Sequence, residues 1–186
     1  MQEKTPIIFK NYIDEGNFRC YLVSGGFVGV IFINPQGQFL CHKETGKHRF
    51  RFPGGGIDPE DGSLFEVQSK TEFLEIAKKA ATREAKEEIG QDIDSSRLQL
   101  VGISEDKNQE DEKGGQVFLR TFFYYKFLEG EKTPDGFREV IENSRPVKYE
   151  YRWVPIENGR ADLGGTQVRL SDLHFFALVR YLRASH

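Results

Sequence analysis

The sequence predicts a single mixed α and β domain, and three observations carry that reading. Stretches rich in β-branched and aromatic residues recur along the chain and outnumber the helical patterns. Two helical patterns stand far apart, one in the middle of the chain and one near its end. Between the early strands and the first helix, "RFRFPGGGIDPEDG" (49–62) stops regular structure with Pro53, three glycines and Pro59. A sheet that must bury its faces against two separated helices satisfies all three.

In chain order, "NFRCYLV" (17–23) and "FVGVIFI" (27–33) read as strands, and "NPQGQ" (34–38) as a turn into a third, "FLCHKE" (39–44). Ser69 and Glu72 have the S-x-x-E spacing of a capping box, so a helix begins near Lys70. It runs to about Ile89, where Gly90 supplies a left-handed stop. "RLQLVGIS" (97–104) and "GQVFLRTFFYYKFL" (115–128) are strands separated by a hydrophilic loop, and "VKYEYRWVPI" (147–156) is another. In that last strand Tyr149, Tyr151 and Trp153 alternate with Glu150 and Arg152. "LSDLHFFALVRYLRA" (170–184) is a helix capped by Ser171, with His174 on its apolar side as a core residue.

The chain of 186 residues suits one domain spanning 1–186, with residues 1–26 as N-terminal strands that extend it. Sixteen Phe and seven Tyr are enough to fill a large core and still leave stacking surfaces. A net charge of −3 argues against a non-specific nucleic-acid footprint, so no DNA partner is expected; a small nucleotide is compatible. Cys20 and Cys41 form no close pair, which disfavours a disulfide framework or zinc site and points to a reducing cytoplasm. The first residues lack the apolar core of a signal peptide, and no apolar run reaches membrane-spanning length, so no membrane association is expected.

The stretch "KKAATREAKEEIG" (78–90) carries the chemistry. At ~100° per residue, Phe73, Ala77, Ala80 and Ala81 fall on one stripe, which Glu84, Glu87 and Glu88 continue. Solvated glutamates belong opposite an apolar stripe; along it, an unpaired charge is expensive to bury. A bound cation resolves the conflict, and several hard, charged oxygens suit Mg²⁺ or Mn²⁺ better than zinc. Arg83 and Glu87 are also i,i+4 partners, the signature of an ordinary surface pair.

A glycine turn "FPGGGIDPEDG" followed by "REAKEEIG" on a helix resembles the signature of the Nudix hydrolases, G-x5-E-x7-R-E-U-x-E-E-x-G-U with U aliphatic. Arg83, Glu84, Ala85, Glu87, Glu88 and Gly90 match its second half in order, while Gln91 stands at the final aliphatic position. "YEYRWVPI" is similar to the family's E-x-R-W-x-P segment, and the resemblance runs from about Phe27 to the last helix. Three residues compete for the pattern's first glutamate. Glu75 has the right distance to Arg83, yet it lies 14 residues too far from Gly55 and projects nearly opposite the carboxylate face. Glu60 and Asp61, at the glycine loop, are the others, and residues 57–72 read as an insertion or helix extension.

The resemblance implies a Nudix-type α/β/α sandwich with a mixed β-sheet and the catalytic helix after a glycine-rich loop. It implies an enzyme: a Mg²⁺-dependent pyrophosphohydrolase that cleaves the diphosphate bond of a nucleotide or nucleoside-diphosphate-linked substrate by water attack at phosphorus. Glu84, Glu87 and Glu88 are then the metal ligands, with Glu87 also catalytic. Arg83 orients a glutamate through a bidentate pair. Gly54, Gly55 and Gly56 bring backbone amides close to phosphate. Arg49 and Arg51, in the run with Lys47 and His48, engage phosphates or else form a charged hairpin edge. Glu150 is similar in position to an acidic residue that some members use as base or extra ligand; the alternative is a strand glutamate paired with a nearby cation. The acidic loop Glu105–Glu112 offers another such carboxylate. Three rivals share the fold: a catalytically silent nucleotide-sensing module, an RNA 5′-pyrophosphohydrolase, and an isopentenyl diphosphate isomerase-like enzyme that would need Cys41. Homodimerisation through the early strands is a further expectation.

Overall fold

The computed structural model describes residues 7–9, 18–20, 22–67, 69–105, 116–142, 145–157 and 160–184. Its centre is a six-stranded mixed sheet of β3 (Leu22–Ile33), β4 (Phe39–Glu44), β5 (Gln99–Glu105), β6 (Gln116–Lys126), β7 (Phe137–Glu142) and β8 (Arg145–Val154), in the order β5-β6-β3-β4-β8-β7. β3 and β6 are parallel, and the other pairings are antiparallel. β1 (Ile7–Phe9) and β2 (Phe18–Cys20) form a separate antiparallel pair, as do β9 (Ile156–Glu157) and β10 (Arg160–Ala161). "FREVIE", which has only weak alternation, becomes the edge strand β7 because it pairs along its whole length with β8.

Side-chain alternation divides the core into two layers. Val28, Val30, Phe32, Leu40, Tyr149 and Tyr151 face α1 (Lys70–Glu84) and bury Phe73, Ala77, Ala80 and Ala81. Ile31, Ile33, Phe39, Cys41, Phe122 and Val154 face α2 (Asp172–Ala184) and bury Ala177, Leu178 and Tyr181. The result is the helix–sheet–helix sandwich that the resemblance implies.

α1 starts where its cap demands: the Ser69 hydroxyl accepts from the Glu72 N–H at 3.2 Å. Small alanines on the inner stripe let the helix lie close to the sheet. The helix then widens into a π-turn over Ala85–Ile89 and stops at Gly90, which has φ 67°. Single π-turns of this kind recur at functional sites.

The glycine segment is itself part of the sheet. Val28 N–H donates to Gly55 O, Val30 N–H to Pro53 O and Ile57 N–H to Gly26 O, each at 2.9 Å, while His42 and Arg51 exchange backbone bonds. Residues 51–57 therefore run between β3 and β4 and carry the three glycines to the end of α1.

Candidate active site

Glu84 and Glu88 stay on the packed face of the helix, 8% and 3% exposed, and both point at the glycine turn. Gly54 donates its N–H to Glu88 Oε2 at 2.6 Å. A Cβ at Gly55 would stand 2.3 Å from Glu84 Oε1, so only glycine admits that carboxylate. Gly54 has φ 148°, and a Cβ there would meet Val28 O at 2.0 Å. Glu87 falls at the rim with its side chain 52% exposed, although its neighbour Glu88 is buried.

Two arginines hold these carboxylates. Arg51 Nη2 lies 2.7 Å from Glu88 Oε1 and 2.8 Å from the Tyr149 hydroxyl. Arg83 Nη1 lies 2.9 Å from Glu84 Oε1 and 3.3 Å from Glu87 Oε2. The rest of the Arg83 fork grips the glycine loop: Nε and Nη2 reach Asp61 at 3.1 and 2.9 Å, and Nη2 reaches Gly56 O at 2.8 Å and Asp58 at 3.2 Å. Its hydrogen bonds to Asp61, with the charge of Glu84 beside it, hold the Arg83 guanidinium firmly protonated, above its already high ordinary value. Burial pushes the Glu84 carboxyl up to about 6 despite the charge of Arg83 beside it.

Asp61 settles which acid stands at the loop. It is 5% exposed, six residues after Gly55, and forms the bidentate pair with Arg83. Glu60 is a distant partner at 3.9 Å with a 74% exposed side chain. Glu75 points to solvent and pairs with Lys78 at 3.7 Å. The 14 additional residues thus follow Asp61, in the loop that carries the short helical turn Leu64–Glu66 and in the opening turns of α1, and not between the glycine turn and the first acid. The carboxylate that Arg83 grips bidentately is Asp61 and not one of the helix glutamates.

The structure separates other sequence candidates from this cluster. Glu150 lies on the α2 face of the sheet, opposite Tyr149 and Tyr151, with Lys43 at 3.3 Å and Arg152 at 2.6 Å. Its partial burial favours the neutral acid, but the bonds from Arg152 and Lys43 prevail and hold it below the usual carboxylate range. Arg49 also departs from Arg51, pairing with Asp172 at the start of α2 at 3.6 Å. Cys41 is buried on the α2 face, where burial drives its thiol far above the ordinary range, so it stands away from the carboxylates and in no state to ionise. Residues 106–112 of the acidic loop lie outside the described residues.

Two histidines support the site. His174 is a core residue as expected, and its Nδ1 accepts the Phe52 N–H at 3.0 Å, fixing the strand that leads into the glycine turn. Burial lowers its pKa to about 3, so the ring is neutral. His42 lies beneath the site, tilted against Tyr149 and stacked on Tyr151 with centroids 4.6 and 5.8 Å away. Its Nε2 is 3.4 Å from Glu88 Oε2, and burial keeps it neutral too. The Tyr151 hydroxyl donates to the Glu88 backbone carbonyl. His174 is legible as a core residue but its partner is not; for His42 the trace is a polar residue within the apolar strand "FLCHKE".

Among the described residues no three His, Cys, Asp or Glu side chains form a ready-made metal cage, because Arg83 and Arg51 draw the carboxylates toward themselves. The donor set still fits a hard divalent cation: buried carboxylates, one with a raised pKa, against a turn cleared of side chains.

Comparison with known proteins agrees with this geometry. The NUDIX domain family matches residues 26–171. Among solved structures, the chain is similar to the NUDIX domain of Shewanella oneidensis NrtR complexed with ADP ribose, at TM-score 0.54 and 12% identity over 95% of both chains. It is also similar to a NUDIX hydrolase from Nitrosomonas europaea, at TM-score 0.49 and 16% identity, covering 86% of this chain and 89% of that one. Comparison with curated protein sequences returned no match. With the family matched over most of its length and the signature helix set against its glycine turn, the chain belongs to the Nudix family, the Nudix hydrolases.

Proposed function

We propose that the protein is a divalent-metal-dependent pyrophosphohydrolase acting on a nucleoside-diphosphate-linked substrate. The observation that carries this reading is the pair Glu84 and Glu88, both buried and both directed at the Gly54–Gly55 turn. Buried carboxylates facing an opening without side chains repel a diphosphate unless cations lie between them. Glu84, Glu88 and the more exposed Glu87 would hold Mg²⁺ or Mn²⁺. Such an ion, when bound, neutralises phosphate charge and acidifies water at neutral pH.

The chain's own residues divide the remaining work. Gly54 and Gly55 admit the Val28 backbone and the Glu84 carboxylate, and Gly56, with open space on its Cβ side, lets the diphosphate approach the backbone. Glu87, at the rim and tethered only through Arg83 among the described contacts, is the carboxylate placed to accept a proton from the attacking water. Water adds at phosphorus, the bond to the bridging oxygen breaks, and the departing phosphate carries away that electron pair. Arg83 positions Glu84 and Glu87 against the loop, and Arg51, braced by Tyr149, does the same for Glu88. The ADP ribose bound by the NrtR domain belongs to the substrate class proposed.

The test is product release from a panel of nucleoside triphosphates, dinucleotides, nucleotide sugars, ADP-ribose and triphosphorylated RNA with Mg²⁺. Turnover of one class, lost in EDTA and in Glu87→Gln, is the expected result. Silence across the panel together with tight nucleotide binding would instead identify a sensing module, and turnover of the RNA alone would identify the 5′-end enzyme.

A further inference from the structure

His42 interrupts the apolar run of β4, and alternation turns it, with Leu40, toward α1. Its side chain is fully buried against the Tyr149 and Tyr151 rings, where an aliphatic residue would pack without desolvating a polar group. Neither ring nitrogen completes a hydrogen bond, and among the described residues the Thr121 hydroxyl is the only other buried side-chain group in that state. An exception of this kind in a core calls for a reason, such as strain, a chemical role or an ion.

The ring faces Glu88. Its Nε2 lies 3.4 Å from Glu88 Oε2, within reach but not aligned as a hydrogen bond. That oxygen already accepts the Gly54 N–H at 2.6 Å, while Oε1 accepts from Arg51 at 2.7 Å. Burial, then the charge of Arg51, holds the ring neutral against the pull of the Phe52 backbone. A neutral imidazole carries one N–H. Of the two groups that draw it, the Glu88 carboxylate is charged and therefore the stronger acceptor, which favours the proton on Nε2.

Arg51 is the donor that can yield. Its side chain is 40% exposed, and it has the Tyr149 hydroxyl at 2.8 Å besides the carboxylate. A divalent cation at Glu88 repels the guanidinium, since like charges this close cost more than one hydrogen bond returns. The Gly54 and His42 donors are neutral and do not oppose a cation.

We propose that His42 is a positioning residue for cation capture: it holds Glu88 Oε2 beside the Gly54 N–H while Oε1 exchanges Arg51 for a divalent cation. The exchange lets the carboxylate turn into line with the imidazole. The buried N–H then gains its full partner, which adds to cation affinity as outer hydrogen bonds to a ligand do. The part played by Glu88 as a ligand rests on the pyrophosphohydrolase reading; the placement of the ring against its carboxylate does not.

The test measures Mn²⁺ dissociation constants by electron paramagnetic resonance for wild type, His42→Phe and His42→Gln. Phe keeps a ring against both tyrosines and removes the donor, whereas Gln restores an N–H. Affinity is expected to fall at least about tenfold in His42→Phe and to stay within about threefold of wild type in His42→Gln. Thermal melts in EDTA are expected to place His42→Phe no lower than wild type, because it buries no unmet nitrogen. Equal affinity in all three proteins, or an equal loss in both variants, overturns the inference. So does a His42→Phe protein that melts well below wild type yet binds Mn²⁺ as tightly, the mark of a residue that only packs. Long-range proton–nitrogen correlation spectra of wild type supply a readout that needs no variant to fold. With Mg²⁺ the His42 proton is expected on Nε2, and a proton on Nδ1 overturns the inference. A wild type that binds no Mn²⁺ overturns it together with the cation site. The expected order of affinities without turnover of any nucleotide sinks only the hydrolase reading.

Discussion

Glu88 accepts the Gly54 backbone N–H at 2.6 Å, which ties the end of the signature helix directly to the glycine turn. The bond is charge-assisted and buried, so it is among the stronger single contacts in the site. It also makes the turn's shape and the carboxylate's position one variable.

Alanine at Gly54 or Gly55 tests that coupling. At Gly54 the added Cβ meets backbone that cannot move away, and φ 148° is strained for any side chain. Gly54→Ala is expected to lower stability by more than about 2 kcal/mol. Gly55→Ala displaces a side-chain carboxylate, so its loss of stability is smaller while Mn²⁺ affinity falls at least about tenfold. Denaturant midpoints and metal titrations followed together check the order; equal effects on both readouts would contradict it.

Asp61 and Arg83 give a second prediction. Asp61→Asn removes the charge from the bidentate pair and leaves Arg83 with weaker holds on the loop. A loss of about 1–3 kcal/mol is expected in urea unfolding. Glu75→Gln, with its side chain in solvent, is expected to stay within about 0.5 kcal/mol of wild type. The reverse ranking would return the first acidic position of the signature to Glu75.

Glu84 makes the metal-free protein pH-dependent. Its carboxyl titrates near 6 when folded and near 4.5 in the ordinary state, so between those values the folded protein binds more protons than the unfolded chain. Stability supplied by the protonated acid is therefore present below pH 4.5 and is lost as pH rises through about 6. The difference between wild type and Glu84→Gln should shift against wild type by ~2 kcal/mol over that window. Mg²⁺ should offset the loss, raising Tm more at pH 7.5 than at pH 5. A pH-independent difference between the two proteins would count against the buried charge.

His174 has the opposite linkage. Its folded pKa of about 3 lies below the ordinary 6.5, so in between the unfolded chain binds the extra proton and stability falls as pH drops. His174→Phe keeps the ring but strands the Phe52 N–H, with an expected loss of about 1–3 kcal/mol at pH 7. That deficit should narrow toward pH 4, where wild type carries the penalty of a buried neutral imidazole. Chemical unfolding of both proteins at the two pH values provides the check.

Much of this molecule was legible before any coordinates. Ser69 caps α1, Gly90 ends it, and Phe73, Ala77, Ala80 and Ala81 face the core, because capping chemistry and a 3.6-residue period are local properties. The glutamates stood out for the same reason: Glu84 and Glu88 continue an apolar stripe, and the structure buries both. The register of Tyr149 and Tyr151 against Glu150 also follows from alternation alone.

What only the tertiary structure decided are the partners. Residues 22 apart became a bidentate pair at Asp61 and Arg83, since nothing local measures how an inserted segment folds back. The widened turn at Ala85–Ile89 moved Glu87 to the rim, which a uniform 100° projection does not anticipate. Sheet order sent Glu150 and Arg49 to the α2 face and brought His42 and Arg51 under Glu88. Sequence carries the periodicities that each element needs to bury its own face. Which charges then meet depends on long-range pairing between strands, and that is settled only when the whole sheet closes.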